Sequence, residues 1–364
     1  MTKKNGGNTE GTNYEDTQLS CSLTVENFKK AFSSSDDIVY MDLLITNRPD
    51  LSVTLIYVDG LANQDTINDN IVFSLSKSKW YDNCQTLAQA YGLTLNGALD
   101  VSSVKPAAKI MDAINAILVG KTILIFDKLE RALILETIGF EKRGITAATE
   151  ESTYRSGKDC FVETFRVNTA TLRKKIKSHN LCIEEMVIGK QSSTRVCIAY
   201  MQNICNEDFI KKIRKQVIKI NQDKAMSIRD IYTNVVKEKY TPFPTAIITE
   251  KPDVCCMSLL EGKVAVIIDE LPYALVFPAV FGDFFQSSCD YGCNFIISSF
   301  FRMLRYACFI LAIILPGYYV AIEAFHPRLI PYKLAVSIAA SRLGTAFNFH
   351  IEIINMTKEA YEEI

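Results

Sequence analysis

Several short motifs have residue types and spacings that suggest chemistry. Gly120-Lys121-Thr122 matches the end of a phosphate-binding loop, where backbone N–H groups cradle phosphates and the lysine reaches them. The full loop needs a glycine where this chain has Asn115, and a helix after the Lys-Thr pair. The residues after Thr122 are strand-like instead, so nucleotide binding is rejected. Cys255-Cys256 and Cys289-x3-Cys293 are the densest thiol clusters. Structural zinc needs paired thiols with a short spacer, which the vicinal pair lacks, so burial as small hydrophobes is expected. Asp59-Gly60 and Asp269-Glu270 end strand-like runs and offer carboxylates for acid–base work, but Asp-Gly is also ordinary turn chemistry. His179, His326 and His350 are too dispersed to suggest a metal site. No Ser/His/Asp or Cys/His set emerges. No catalytic residue, cofactor or metal is assigned, and the chain is read as a non-enzyme.

Charge excludes another class. Lys+Arg number 40 against 41 Asp+Glu, a formal net charge of −1, which argues against a protein held to nucleic acid by bulk charge. The basic run Lys211–Lys219 is diluted by Glu207, Asp208 and Asp223 and reads as a solvated helix face. With 48% hydrophobic and 22% charged residues the chain is too apolar to be disordered, and its length allows about two domains. The first twenty residues are polar and lack the apolar core of a signal peptide. The eleven cysteines are therefore expected to be reduced.

Residues 1–20 read as a disordered arm. Residues 38–45 and 53–58 are β-branched and aromatic runs bounded by turn residues, hence strands. Residues 107–118 carry apolar residues at helical spacing, with Pro106 at the expected first turn and Gly120 at the exit. Residues 122–126 and 132–138 follow as strands. This first α/β unit spans 21–140, and the polar, turn-rich stretch 141–160 is a linker. A second unit spans 161–277: a helix over 161–177 with a basic last turn, a strand over 194–201, an amphipathic helix over 207–220, and a hairpin of 263–269 with 273–277. No short repeat period is evident.

The strongest apolar signal lies further on. Tyr306–Ile322 contains no charge, and at about 1.5 Å per residue it spans roughly 26 Å, a little short of a hydrocarbon core of about 30 Å. Adding Phe295–Leu304 makes a helix long enough to cross, with Arg302 and Arg305 snorkelling to headgroups, so 295–325 is read as a transmembrane helix. Pro316-Gly317 would kink or break such a helix in water but is tolerated in a membrane bundle. Glu323 and Pro327 close the segment. The stretch 278–294, with Phe277 just before it, holds Phe281, Phe284 and Phe285 and is read as an aromatic segment lying at the membrane interface. Residues 1–294 lack an export signal and are expected in the cytosol.

Several blocks, in order, resemble the A subunit of the GerA-type nutrient germinant receptors of spore-forming bacteria. They are LIYVDGLANQDTINDNI (55–71), FVETFRVNTATLRKKIK (161–177), a long block over 243–291 containing LLEGKVAVIIDELPYALVFPAVFGDFF, FFRMLRY (300–306), LPGYYVAIEAFHPRLIP (315–331) and LAVSIAASR (334–342). The resemblance implies a two-lobed cytosolic α/β region followed by a multi-helix membrane bundle. It also implies assembly with a transporter-like B subunit and a lipoprotein C subunit in the inner spore membrane, and oligomerisation into a nutrient-gated ion channel. Two departures stand out. Where the family has an Arg-Gly-Pro-Arg-like motif, this chain has Arg155-Ser156-Gly157-Lys158-Asp159. The family also continues into further membrane helices where this chain ends at Ile364, so residues 326–364 are read as the start of a truncated bundle.

The expected protein is thus a two-lobed cytosolic mixed α/β region followed by at least one transmembrane helix. Its expected function is that of a germinant receptor subunit coupling nutrient sensing to ion release, with membrane lipid, the B and C subunits and further copies of itself as partners. The alternative is a single-span, membrane-anchored binding or assembly module without conduction.

Overall fold

The computed structural model describes residues 22–139, 159–189, 191–220, 244–286 and 294–326. The chain forms two compact units, residues 1–280 and 281–364. The first unit contains two lobes, each an antiparallel five-stranded sheet covered by helices on both faces.

In the first lobe the sheet order is β1-β2-β4-β5-β3, with β1 at Ile38–Leu44, β2 at Ser52–Val58, β3 at Val104–Pro106, β4 at Thr122–Phe126 and β5 at Arg131–Leu135. Alternation along the central strands feeds two cores. Leu55, Tyr57, Leu124 and Phe126 face one side, and Ile56, Val58, Ile123 and Ile125 the other. Helix α1 (Val25–Ala31) and helix α4 (Ile110–Leu118) cover the second face through Phe28, Ile114 and Ile117. The first face is covered by α2, a helical run over 64–77 whose middle, Ile67–Val72, is a π-turn, and by α3 (Leu87–Leu95).

Pro106 differs from expectation. It lies in β3, and α4 begins four residues later at Ile110 with Lys109 as its N-cap. Strand β3 is the sheet edge, where a residue without an N–H leaves no ladder bond unmade.

The second lobe has the order β6-β7-β9-β10-β8, with β6 at Leu181–Ile188, β7 at Thr194–Met201, β8 at Ile247–Thr249, β9 at Val264–Ile268 and β10 at Ala274–Phe277. Helix α6 (Glu207–Ile218) covers one face through Ile210, Ile213 and Val217. Helices α5 (Phe165–Lys175) and α7 (Pro252–Leu260) cover the other through Phe165, Leu172, Cys255 and Leu259. The expected hairpin of β9 and β10 is present, with Ala274 opposite Ile267.

The two lobes repeat one plan at an offset of 142 or 143 residues (120 to 262, 63 to 206). Tyr57-x5-Asn63 after β2 matches Tyr200-x5-Asn206 after β7. Asn63 Oδ1 accepts from Asp65 N and Thr66 N at the start of α2, and Asn206 Oδ1 accepts from Asp208 N at the start of α6. Gly120-Lys121 before β4 matches Gly262-Lys263 before β9. Both glycines have positive φ (96° and 88°). A Cβ on Gly120 would lie 3.0 Å from Leu61 O, and one on Gly262 would lie 3.2 Å from Ile204 O, a residue at the equivalent place.

In the second unit, helix α8 (Phe295–Phe325) runs unbroken through Pro316. Its stretch Phe295–Ile322 is long and apolar enough to cross a membrane, and nearly all of its residues are exposed or half-buried within the structure. The polar arm 1–20, residues 141–158 of the linker with the Arg155–Lys158 motif, Pro327, His350, and Cys289 with Cys293 lie outside the described residues.

Candidate functional site: the seam between the lobes

The polar side chains that converge do so between the lobes, along helix α5. Positions 166, 170 and 173 fall on one stripe of that helix, and that stripe faces the first lobe. Ala170 packs into the first lobe's core, while Phe165, Leu172 and Ile176 on the opposite side belong to the second. The helix is therefore shared between two cores.

Arg173 lies at one end of the stripe. Its Nε donates to Asp37 Oδ2 (2.9 Å) and its Nη2 to Asp37 Oδ1 (2.8 Å) and Ser35 Oγ (3.3 Å). Its Nη1 donates to Leu181 O (2.8 Å) and Ser178 O (3.2 Å). All five guanidinium N–H donors are thus used, and both charged side chains are buried, 0% and 1% exposed. Three further hydrogen bonds to backbone groups of β6 close the same end. Asp36 N donates to Ile183 O, Glu185 N to Asp36 Oδ2, and Ser35 Oγ to Leu181 O, so residues 35–36 cover the open edge of β6.

Arg166, two turns away, makes a different arrangement. Its Nε pairs with Asp59 Oδ2 of the first lobe at 2.9 Å. Its two terminal nitrogens donate to the carboxylate of Glu185, in β6 of its own lobe. These side chains keep 20–25% of their surface exposed. Burial pushes the Glu185 carboxyl above its usual range, although Arg166 acts in the other direction. Gly60, with φ +83°, brings the loop after β2 against this part of α5. A Cβ there would lie 3.0 Å from Ala170 Cβ and 3.1 Å from Arg166 Cγ.

Beside Arg166 is a cavity of about 320 Å³, lined by Asp59, Gly60, Asn63, Asp65, Thr164 and Arg166 among others. That volume is at the small end of ligand-sized cavities. Its walls offer a cation, two carboxylates, two amides (Asn63 and Gln64) and a hydroxyl, which suits a small polar solute. The lining residues include no cysteine or histidine, and among the described residues no group of three or more His, Cys, Asp or Glu is placed to hold a metal ion.

The motifs singled out from sequence have these places. Asp59-Gly60 is the seam itself, with Asp59 an ion-pair partner as well as a turn residue. Gly120 ends α4, Lys121 pairs with Glu136 at 2.6 Å, and Thr122 Oγ1 shares a hydrogen bond with Thr137, so a helix precedes this triplet rather than follows it. Cys255 and Cys256 are buried on α7, and burial pushes the Cys256 thiol up to about 12. Asp269-Glu270 forms the β9–β10 turn, where Glu270 has φ +65°. In the basic run, Lys211 pairs with Glu207 and Arg214 with Glu184.

The aromatic segment divides. Phe277 is in β10, 4% exposed and part of the second lobe's core, because alternation along that strand turns it inward. It is therefore not an interfacial residue. Phe281 and Phe284 are exposed. Phe285 stacks on Tyr306 (4.4 Å between centroids) and meets Phe309 edge-on, while Arg305 Nη1 donates to Phe285 O at 2.9 Å. Arg302 Nε is buried without a hydrogen-bond partner. Pro316, Gly317 and Glu323 all fall within α8.

Sequence reasoning missed Asp37, Arg166, Arg173 and Glu185. A usable signal was present: two arginines seven residues apart, bracketing an alanine, on a helix otherwise expected to present apolar residues to a core.

Comparison with known proteins places this architecture. The family model described as Bacillus/Clostridium GerA spore germination protein matches residues 26–359. Spore germination protein KA of Bacillus subtilis (strain 168) is 31% identical over 328 residues, covering 90% of this chain and 60% of that protein. Spore germination protein GerLA of Bacillus cereus is 31% identical over 302 residues, covering 83% of this chain and 61% of that one. The chain thus spans about three fifths of the length of these curated relatives. The crystal structure of the N-terminal domain of the A subunit of the Bacillus megaterium spore germinant receptor GerK3 superposes with a TM-score of 0.54 at 27% identity, covering 72% of this chain and 97% of that domain.

Proposed function

The chain belongs to the GerA spore germination family, and on that premise we propose that it acts as the A subunit of a nutrient germinant receptor, coupling nutrient sensing to ion release. The observation that carries this reading is the order of parts. A two-lobed α/β unit related to the GerK3 A-subunit domain is followed by one helix suited to a lipid environment, and the family match runs through both. At about 1.5 Å per residue the 28 residues of Phe295–Ile322 reach about 42 Å, more than a hydrocarbon core of about 30 Å requires. The helix is apolar nearly all round, which suits lipid as its solvent.

In this reading the chain sits in the inner membrane of the spore with its lobes in the cytosol. It assembles with a transporter-like B subunit, a lipoprotein C subunit and other copies of itself. The lobes serve assembly and relay, not catalysis. Nutrient binding in the complex biases the lobes between two arrangements, and the membrane part responds. Arg302, Arg305, Phe281, Phe284 and Phe285 lie where the chain meets the headgroup layer.

The test is co-purification from detergent-solubilised spore membranes, followed by nutrient-triggered ion release from spores with and without the gene. Recovery of a B-type subunit and loss of ion release to one class of nutrient are expected. A chain that stays in the aqueous phase after lysis without detergent overturns the reading. A membrane-bound chain whose deletion leaves every nutrient response intact favours the anchored module.

A further inference from the structure

We propose that the seam between the lobes is a hinge, with the Arg173–Asp37 pair as its fixed pivot and the Arg166–Asp59 pair as a latch that opens and closes. The inference rests on the seam geometry alone and stands or falls independently of the germination reading.

The two ends of α5 differ in what separation would leave behind. At the Arg173 end every guanidinium donor is engaged, and the residues that accept come from both lobes: Asp37 and Ser35 from the first, Ser178 and Leu181 from the second. Pulling the lobes apart there would strand a carboxylate that is 1% exposed and a guanidinium that is 0% exposed. The backbone bond from Asp36 N to Ile183 O and the bond from Glu185 N to the Asp36 carboxylate would be lost with them.

At the Arg166 end the partners are arranged so that opening strands nothing. Of the polar contacts Arg166 makes among the described residues, the one to Asp59 crosses the seam, while Glu185, which holds two of the arginine's nitrogens, belongs to the same lobe as Arg166. When the lobes part, Arg166 keeps Glu185. Asp59 keeps the hydrogen bond from Gln64 Nε2 (2.8 Å) and meets solvent at the cavity. The two arginines are seven residues apart, about 10 Å along the helix. Rotation about the buried end therefore widens the cavity beside Arg166 and leaves the lobes joined. Gly60, which has room for no Cβ against Ala170, lets the loop carrying Asp59 close fully onto α5.

Hydrogen–deuterium exchange of the full chain in detergent tests this, comparing wild type with Asp59→Asn, Arg173→Lys and the milder Ser35→Ala. Amides 165–167, in the first turn of α5, have no intrahelical acceptor, and the loop at Gly60, where a Cβ would lie 3.2 Å from Arg166 O, covers this turn when the seam is closed. In D59N they are expected to exchange at least about threefold faster, while the Asp36 and Glu185 amides stay protected. In R173K, or in S35A if R173K does not fold, the Asp36 and Glu185 amides are expected to accelerate as well. The hinge is overturned if D59N leaves amides 165–167 unchanged, or if D59N and the pivot variants deprotect all these amides alike.

Discussion

Arg173 and Asp37, 136 residues apart in the chain, meet through two hydrogen bonds of 2.9 and 2.8 Å in a place where neither side chain touches solvent to any useful extent. Removing either partner leaves the other buried and uncompensated. Asp37→Asn and Arg173→Met should each destabilise the lobed region by about 3–5 kcal/mol. The double variant D37L/R173M should lose less than the sum of its single changes, and chemical unfolding of all the variants closes the cycle.

Glu185 has the opposite character. Desolvation raises its carboxyl above 4.5 in the folded state, so the native protein holds a proton there more readily than the unfolded chain does. The contribution to stability is fully present below the unfolded value and is lost as pH rises through the folded one. Unfolding measured from pH 4.5 upward should therefore show Glu185→Gln gaining on wild type as pH rises through that window. A constant difference between the two proteins across the window would show that Arg166 cancels the burial cost.

Gly120 and Gly262 should respond alike, since they hold equivalent places in the two lobes. Each has positive φ and each lies against a carbonyl, Leu61 O or Ile204 O. G120A and G262A are each expected to cost about 1–2 kcal/mol, the strain of a left-handed alanine. Thermal melts that shift for one and not for the other would argue against structural equivalence.

Cys308 offers a direct probe of the solvent around α8. It is exposed in the structure, as are its helical neighbours. Cys160 is partly exposed in the first unit, and Cys255 is fully buried. In inside-out membrane vesicles, whose cytosolic face is turned outward, a charged maleimide, mapped by mass spectrometry, should modify Cys160 and spare both Cys308 and Cys255. In denaturant all three should react. Labelling of Cys308 as fast as Cys160 would place that helix in water.

Ile313→Arg tests the same helix energetically. An arginine near the middle of a span costs roughly 3 kcal/mol on insertion scales. The variant should shift from the membrane pellet to the alkaline extract, while the same change at exposed Ile204 should leave fractionation as it was.

Much of the scaffold was legible because its strands alternate cleanly or run apolar. Strands β4, β7, β9 and β10 and the stripe of α6 follow from periodicity alone. Strand β6 was missed because Glu184 and Glu185 interrupt it. They point to opposite faces and take Arg214 and Arg166 respectively, so two charges side by side are each neutralised by an arginine from a different helix. Helix α7 was missed for another reason. Buried on several sides, its PDVCCMSLL shows no amphipathic stripe. The doubling of the lobes escaped notice because its period is a whole lobe and the matches are short. The seam itself depends on partners more than a hundred residues apart, a relationship that no local pattern encodes.

Residues 35–36 also bear on how the polypeptide is made. A bare edge such as that of β6 invites pairing with any extended peptide nearby. Because the first lobe leaves the ribosome ahead of the second, its Ser35-Asp36 pair is already in place when Leu181–Glu185 emerges. Synthesis in that direction gives the nascent strand its proper cover before a stranger can supply one.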